Sequence, residues 1–235
     1  MKTIAIVNAK GGTGKTTTAV NLAASFAEKG FTTLLIDLDP KADATISCQT
    51  RPDLLSLATR LDEMAAQYAY VVIDTPPELA DTTNRAIAVS DLVIVPTDTG
   101  MFSLRAASQC LHFIEENFQN LPVWCLSTLF KPRTRFGKDC REELGKLFGN
   151  QLFETRIHTT VKIQEAQAMG QPITLYSRDS RGFTDYQSFT EEVLKKALPT
   201  SKGRAKALSS YTEDSDHEKV KGVDLEDFDR LTQDL

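Results

Sequence analysis

Ten residues near the start of this chain, Asn8 to Thr17, limit what it can become more than any other stretch. A β-rich run, Thr3-Ile4-Ala5-Ile6-Val7, enters them, and a helix-forming run, Thr18 to Lys29, leaves them. Between the two lie Lys10-Gly11-Gly12-Thr13-Gly14-Lys15-Thr16-Thr17. Strand, glycine loop and helix in that order form a cradle for phosphate. The glycines let successive backbone N–H groups turn inward, and the helix adds the positive end of its dipole. In such a loop Lys15 reaches the β- and γ-phosphates of a nucleotide and the Thr16 hydroxyl holds Mg²⁺. A chance Lys-Thr after a glycine turn would not need a strand before it and a helix behind it.

Two further stations accompany the loop. Val71-Val72-Ile73-Asp74 is an apolar strand closed by an aspartate, the pattern that presents a carboxylate to Mg²⁺ directly or through water. Thr32 to Asp37 is a second buried strand, ending in Asp37-Leu38-Asp39-Pro40. Taken singly, each aspartate is as readily a cap or a turn former. Further strands are expected at 91–96, 123–128 and 152–155, and helices at 79–88, 103–117, 136–148, 161–168 and 182–197. Residues 172–175 read as a connector. A short helix after Pro40 and another over 53–67, with Leu54, Leu57, Leu61 and Met64 on one face, fill the interval before Tyr70. Short apolar strands alternating with helices imply an α/β fold, a mostly parallel β-sheet flanked by helices on both faces. The glycine loop belongs at the carboxyl edge of that sheet.

Composition narrows the function classes. The chain has 235 residues, 41% apolar, enough for one sizeable core over residues 1–199. The net charge of −5 gives no global signature for nucleic acid. No apolar run approaches a membrane span, and the N-terminus enters a strand with no signal-peptide layout, so a cytoplasmic protein is expected. Cys48, Cys110, Cys125 and Cys140 lack C-x-x-C spacing and read as buried reduced thiols. From Tyr211 onward there are nine acidic and three basic residues. Residues 200–235 therefore read as an acidic, disordered tail, because so little apolar surface cannot offset the entropy of ordering.

Lys10, placed ahead of the glycines, makes the loop more specific. Lys10 to Thr16 resembles the deviant Walker A motif, Lys-Gly-Gly-x-Gly-Lys-Thr, of the ParA/MinD family of P-loop ATPases. The resemblance runs from Met1 to about Leu198. It includes Val89 to Pro96, Phe153-Glu154-Thr155 through Lys162, Glu165-Ala166, Gly170-x-Pro172-Ile173 and Ser180-Arg181-Gly182. That set is closer to short ParA-type partition proteins than to MinD. It implies ATP and Mg²⁺ as cofactors and an ATP-dependent sandwich homodimer in which Lys10 reaches the phosphates of the partner. Asp39 would orient the attacking water and Asp37 would support the metal shell. In relatives Ile-Pro-Arg-Asn-Val lies near the base of the nucleotide; here the segment is Ile157-His158-Thr159-Thr160-Val161, and His158 reads as a surface residue.

Residues 130–162 hold eight Lys or Arg and four Asp or Glu. Arg133 and Lys162 match positions where ParA proteins carry cations for nonspecific DNA binding, a contact with phosphates that carries no sequence information. The resemblance thus implies a nucleoid-associated ATPase that positions or segregates a cargo, with a ParB-type adaptor stimulating hydrolysis. Two rivals are less well served by the residues. A MinD-like membrane cycler needs a basic amphipathic C-terminal helix, and Asp224 to Leu235 is acidic. An iron–sulfur electron carrier needs clustered cysteines. A nucleotide-switch adaptor or scaffold without turnover would look the same in sequence.

Overall fold

The computed structural model describes residues 1–39, 66–132 and 134–198. The two helices expected between Pro40 and Gln67 fall outside these residues except for 66 and 67, which form a turn. Cys48, Arg133 and the acidic tail also lie outside them.

The described chain runs β1 (Lys2–Ile6), α1 (Lys15–Glu28), β2 (Thr33–Asp37), β3 (Tyr70–Asp74), α2 (Asp81–Ala88), β4 (Leu92–Thr97), α3 (Met101–Asn117), β5 (Val123–Phe130), α4 (Arg135–Phe148), β6 (Leu152–His158), α5 (Val161–Ala168), α6 (Ile173–Tyr176) and α7 (Arg181–Glu192). The six strands form one sheet in the order β2-β3-β1-β4-β5-β6, and every pairing is parallel. From β1 the chain crosses to β2 on one side; β4 and all later strands lie on the other. The loop after β1 therefore sits where successive crossovers diverge, which leaves a crevice at the carboxyl ends of the strands.

Alternation along the strands feeds two cores. Ile4 and Ile6 face α1 and α7, meeting Leu22, Phe26, Val72, Phe153, Tyr186 and Phe189. Ala5 and Val7 face α2, α3 and α4, meeting Ile87, Cys110, Ile114, Leu144 and Phe148. Phe26, Phe153, Phe189 and Tyr186 are fully buried; truncating any one of the three phenylalanines to alanine costs about 3–5 kcal/mol. Cys110, Cys125 and Cys140 are buried free thiols, as expected. Burial pushes the Cys110 thiol up to about 11 and the Cys125 thiol up to about 12, so both stay protonated and inert.

The last strand corrects two expectations. It runs to His158 rather than stopping at Thr155, and His158 is partly buried rather than a surface residue. The cause is α7, whose carboxylates clasp the outer edge of β6. Glu192 accepts the backbone N–H groups of Glu154 and Thr155 at 2.8 and 2.9 Å, and Asp185 accepts that of His158 at 2.9 Å. Asp185 also meets His158 Nδ1 at 2.8 Å. Asp185 and Glu192 are seven residues apart and so share one helix face, which satisfies the unpaired edge and blocks further strand pairing. The connector at 172–175 is the short helix α6, and the last helix turns π-helical over Val193–Ala197.

Candidate nucleotide site

The glycine loop leaves β1 and enters α1 at Lys15, with Gly14 as the preceding residue. Gly12 and Gly14 adopt φ +76° and +89°, a region that side-chain-bearing residues avoid. Gly14 brings no capping side chain, and the first turn of α1 has no acidic residue. Its N–H groups are thus left to an external anion.

Buried polar groups hold the loop in place. Asn8 donates from Nδ2 to the Pro96 carbonyl at 2.8 Å, while its Oδ1 accepts the Lys10 N–H at 2.9 Å. The Thr128 hydroxyl donates to the Thr13 carbonyl at 2.7 Å. The loop is therefore tied to β4 and β5 as well as to its own strand. Lys15 is almost fully buried, and its amine donates to the Lys10 carbonyl at 3.1 Å across the loop. Gln167 of α5 donates to the Thr17 hydroxyl at 2.6 Å.

Three aspartates lie at the strand ends near Thr16. Asp37 and Asp74 stand opposite each other in the β2–β3 register, and Asp37 Oδ1 accepts the Asp39 N–H at 3.0 Å. Asp74 is fully buried, yet neither of its carboxylate oxygens has a hydrogen-bond partner of good geometry among the described residues. Burial pushes its pKa up to about 7. The Thr16 hydroxyl and the Lys15 charge pull it down, and the charges of Asp37 and Asp39 add to the rise. The influence of Thr16 reflects a hydroxyl that faces the carboxylate without closing a well-formed bond.

An orphaned, buried carboxylate next to a hydroxyl fits a bound Mg²⁺, which would share its charge and complete both groups. Among the described residues no three His, Cys, Asp or Glu side chains converge to hold a metal by themselves. A magnesium ion here would rest on Thr16 and Asp74 and take its other ligands from phosphate and water.

Lys10 lies on the far side of the loop. Its amine reaches Asp98 Oδ2 at 3.1 Å and the Ser103 hydroxyl at 2.5 Å. The second oxygen of Asp98 accepts the Gly100 N–H at 2.8 Å, so Asp98 joins the lysine to the start of α3. Asp98, Ser103, Thr128 and Gln167 carry no motif that marks them in the sequence. Most are far from the loop along the chain, and only the strand order brings them to it.

Lys162 is in the first turn of α5, exposed, with its amine 2.8 Å from Glu165 and 5.8 Å from the Tyr176 ring centroid. Arg133 is outside the described residues. The strands that lead toward the two cations end side by side, Phe130 opposite His158.

Fold and site together define a P-loop nucleotide-binding protein of the α/β class. A family model described as an AAA domain matches residues 1–54 and 49–122. The chromosome partitioning protein ParA of Myxococcus xanthus is 30% identical, over 86% of this chain and 90% of that protein. The sporulation initiation inhibitor protein Soj of Bacillus subtilis is 30% identical, over 82% of this chain and 98% of Soj. Among solved structures, the Aquifex aeolicus MinD in its complex with MinC matches with a TM-score of 0.72 and 15% identity, covering 86% of this chain and 99% of that one. Apo McdA of Cyanothece matches with a TM-score of 0.70 and 16% identity, covering 83% and 99%. The chain belongs to the ParA/MinD family of P-loop ATPases.

Proposed function

We propose that this protein is a Mg²⁺-dependent, ParA-type ATPase whose ATP-bound dimer binds DNA nonspecifically and positions a cargo. The observation that carries the reading is the pair of lysines on one glycine loop. Lys15 is folded over the loop and serves the phosphates of its own chain. Lys10 points away from that cradle, to Asp98 and Ser103, and serves phosphates presented by a second copy. The chemistry follows from charge. Phosphoryl transfer spreads negative charge over the equatorial oxygens, and Lys15, the first-turn N–H groups of α1 and a partner's Lys10 offset it. Thr16 and Asp74, with Asp37 behind them, would hold Mg²⁺, which would supply further positive charge against the phosphates. Asp39 orients the attacking water. Gly11, Gly12, Thr13, Gly14 and Thr17 complete the cradle. The partition name of the Myxococcus relative supports the cargo role, and a cargo-bound adaptor of the ParB type would trigger turnover. Arg133 and Lys162 are the proposed DNA contacts, on a nucleoid-associated protein. Among the described residues no helix is long and apolar enough to cross a membrane.

The test separates the two lysines. Lys15→Ala abolishes ATP binding measured by calorimetry. Lys10→Ala keeps ATP binding but loses ATP-dependent dimers in light scattering and loses stimulated turnover. Asp39→Ala binds ATP, hydrolyses it slowly and accumulates dimer. A Lys10→Ala protein that dimerises and turns over normally removes the in-trans role and leaves the switch-scaffold reading.

A further inference from the structure

At the outer end of the sheet the apolar layer under α4 gives way to cations. Leu144 and Phe148, late in the helix, pack on the sheet as core residues. Nearer the N-terminus the same face carries Arg141, half-buried. Its Nη1 donates to the Ser127 hydroxyl at 2.7 Å and its Nη2 to the Phe153 carbonyl at 2.6 Å. Opposite Ser127 in the register stands Arg156, with its guanidinium carbon 5.1 Å from the centroid of the Phe130 ring. These residues, with Lys138, Pro132 and Glu142, line a cleft of about 390 Å³.

The backbone is bent to make this place. The β5–β6 register shifts on both sides of the Ser127–Arg156 pair, and Leu129 within the second shift has φ +48°. Leucine seldom occupies that region, and a bulge re-aims neighbouring side chains. Here Leu129 is exposed and Phe130 is buried as the platform for Arg156. Three cations share the cleft with one carboxylate, Glu142. Burial and the neighbouring Arg156 charge hold the Arg141 guanidinium below its usual range, while Glu154 and Glu192 offset this in part. Arg141 is held by its hydrogen bonds before any ligand arrives, and exposed Arg156 lies over the Phe130 ring. Arg141 spends both terminal nitrogens on Ser127, Phe153 and Glu154 and so contributes charge, while the planar fork of Arg156 is open to match two oxygens of a phosphate. Exposed Lys131 and Arg135 continue the positive charge along the chain on either side of the lining residue Pro132. Such a row exceeds what one small anion would use and suits a chain of phosphates.

We propose that this cleft is a preformed seat for the DNA backbone, with Arg141 as its floor and Arg156 and Lys138 at its rim. The assignment rests on the DNA-binding reading above and adds a second, built contact to the proposed DNA contacts Arg133 and Lys162.

The test uses the full-length protein with ATP and Mg²⁺ and two unrelated fluorescein-labelled duplexes, followed by anisotropy across a salt series. The variant is Lys138→Gln with Arg156→Gln; Arg141 is left intact because its hydrogen bonds support the fold. The control is Lys29→Gln with Lys195→Gln, which removes the same charge from the α1 and α7 side, where both lysines pair with Glu191. Expected is at least about tenfold weaker binding to both duplexes, with a log–log salt slope shallower by about 0.9 for each DNA phosphate that the variant no longer neutralises. ATP-driven dimerisation by light scattering stays at the wild-type level, and the control binds within about twofold of wild type. Wild-type binding with an unchanged double variant overturns the cleft while the DNA reading stands. An equal loss in the control also overturns it, since net charge alone would then explain the effect. Wild-type protein that binds neither duplex removes the DNA reading and the cleft together.

Discussion

Asp74 is buried without a hydrogen-bond partner among the described residues, so the protein without Mg²⁺ keeps a carboxyl group it cannot comfortably ionise. Its pKa of about 7 lies well above the ordinary aspartate value. The sign follows from proton binding. Between about pH 4 and 7 the folded state holds a proton that the unfolded state has lost, so stability falls as pH rises through that window and levels off above it. Asp74→Asn removes this slope and, above pH 7, stabilises the metal-free protein by roughly 1–4 kcal/mol, while Mg²⁺-dependent ATP hydrolysis is lost. Thermal melts from pH 5 to 8 check the first part and phosphate release the second; a variant that melts lower than wild type at pH 8 contradicts the account. Lys10 has the opposite character. Its bond to Asp98 is partly exposed and worth at most about 1 kcal/mol. On the proposed in-trans role, the lysine leaves that partner to reach another subunit. Asp98→Asn therefore shifts the ATP dimer constant upward by about two- to fivefold, measured by sedimentation, and an unchanged or lower constant shows that Asp98 does not compete for the lysine.

At the scale of elements, the helix α1 begins where the phosphate must sit, and Gly14 determines that beginning. With φ +89° it disfavours a side chain, although an added Cβ would find ordinary contacts at 3.8 Å with Thr128. The cost of Gly14→Ala is thus backbone strain, about 1–3 kcal/mol, and it falls on the loop conformation that faces phosphate. ATP affinity should drop more than tenfold in calorimetry with a melting point within a few degrees of wild type; retained affinity would mean the loop tolerates another path. These elements were legible in the residues themselves. Strand–loop–helix order, two apolar runs closed by Asp37 and Asp74, and alternation between helices and strands all reflect local periodicity. What was not legible came from distance along the chain. His158 falls beyond the strand expected at 152–155 because nothing near Thr155 announces that Asp185 and Glu192 extend the strand from α7. Asp98 carries no signal of its own in the sequence, and its hold on Lys10 exists only because β4 lies beside β1. Arg141 and Arg156 were counted within a basic segment, but their meeting across β5 and β6 depends on a bulge that no spacing rule marks.

The whole molecule presents the nucleotide loop, Lys10 and the start of α3 at one edge of the sheet. Met101 and Phe102 open α3 there, and both are exposed, Phe102 by 80%. They stand next in sequence to Ser103, whose hydroxyl receives the Lys10 amine. A large aromatic side chain left in water costs about 1.5–3 kcal/mol relative to full burial, which a second copy closing over this edge would recover. The face that must meet another subunit for Lys10 to act is thus also a face with apolar surface to bury. Phe102→Asp places a charge in that contact without touching the cradle. ATP affinity should remain within about twofold of wild type, while ATP-dependent dimers weaken at least tenfold and DNA binding and stimulated turnover fall with them. Phe102→Leu keeps an apolar side chain and should retain most dimer. Light scattering and calorimetry on both variants decide the matter. Phe102→Asp dimers as strong as wild type would place the subunit contact elsewhere on the carboxyl edge, and a fall in ATP affinity would show that Phe102 supports the nucleotide loop.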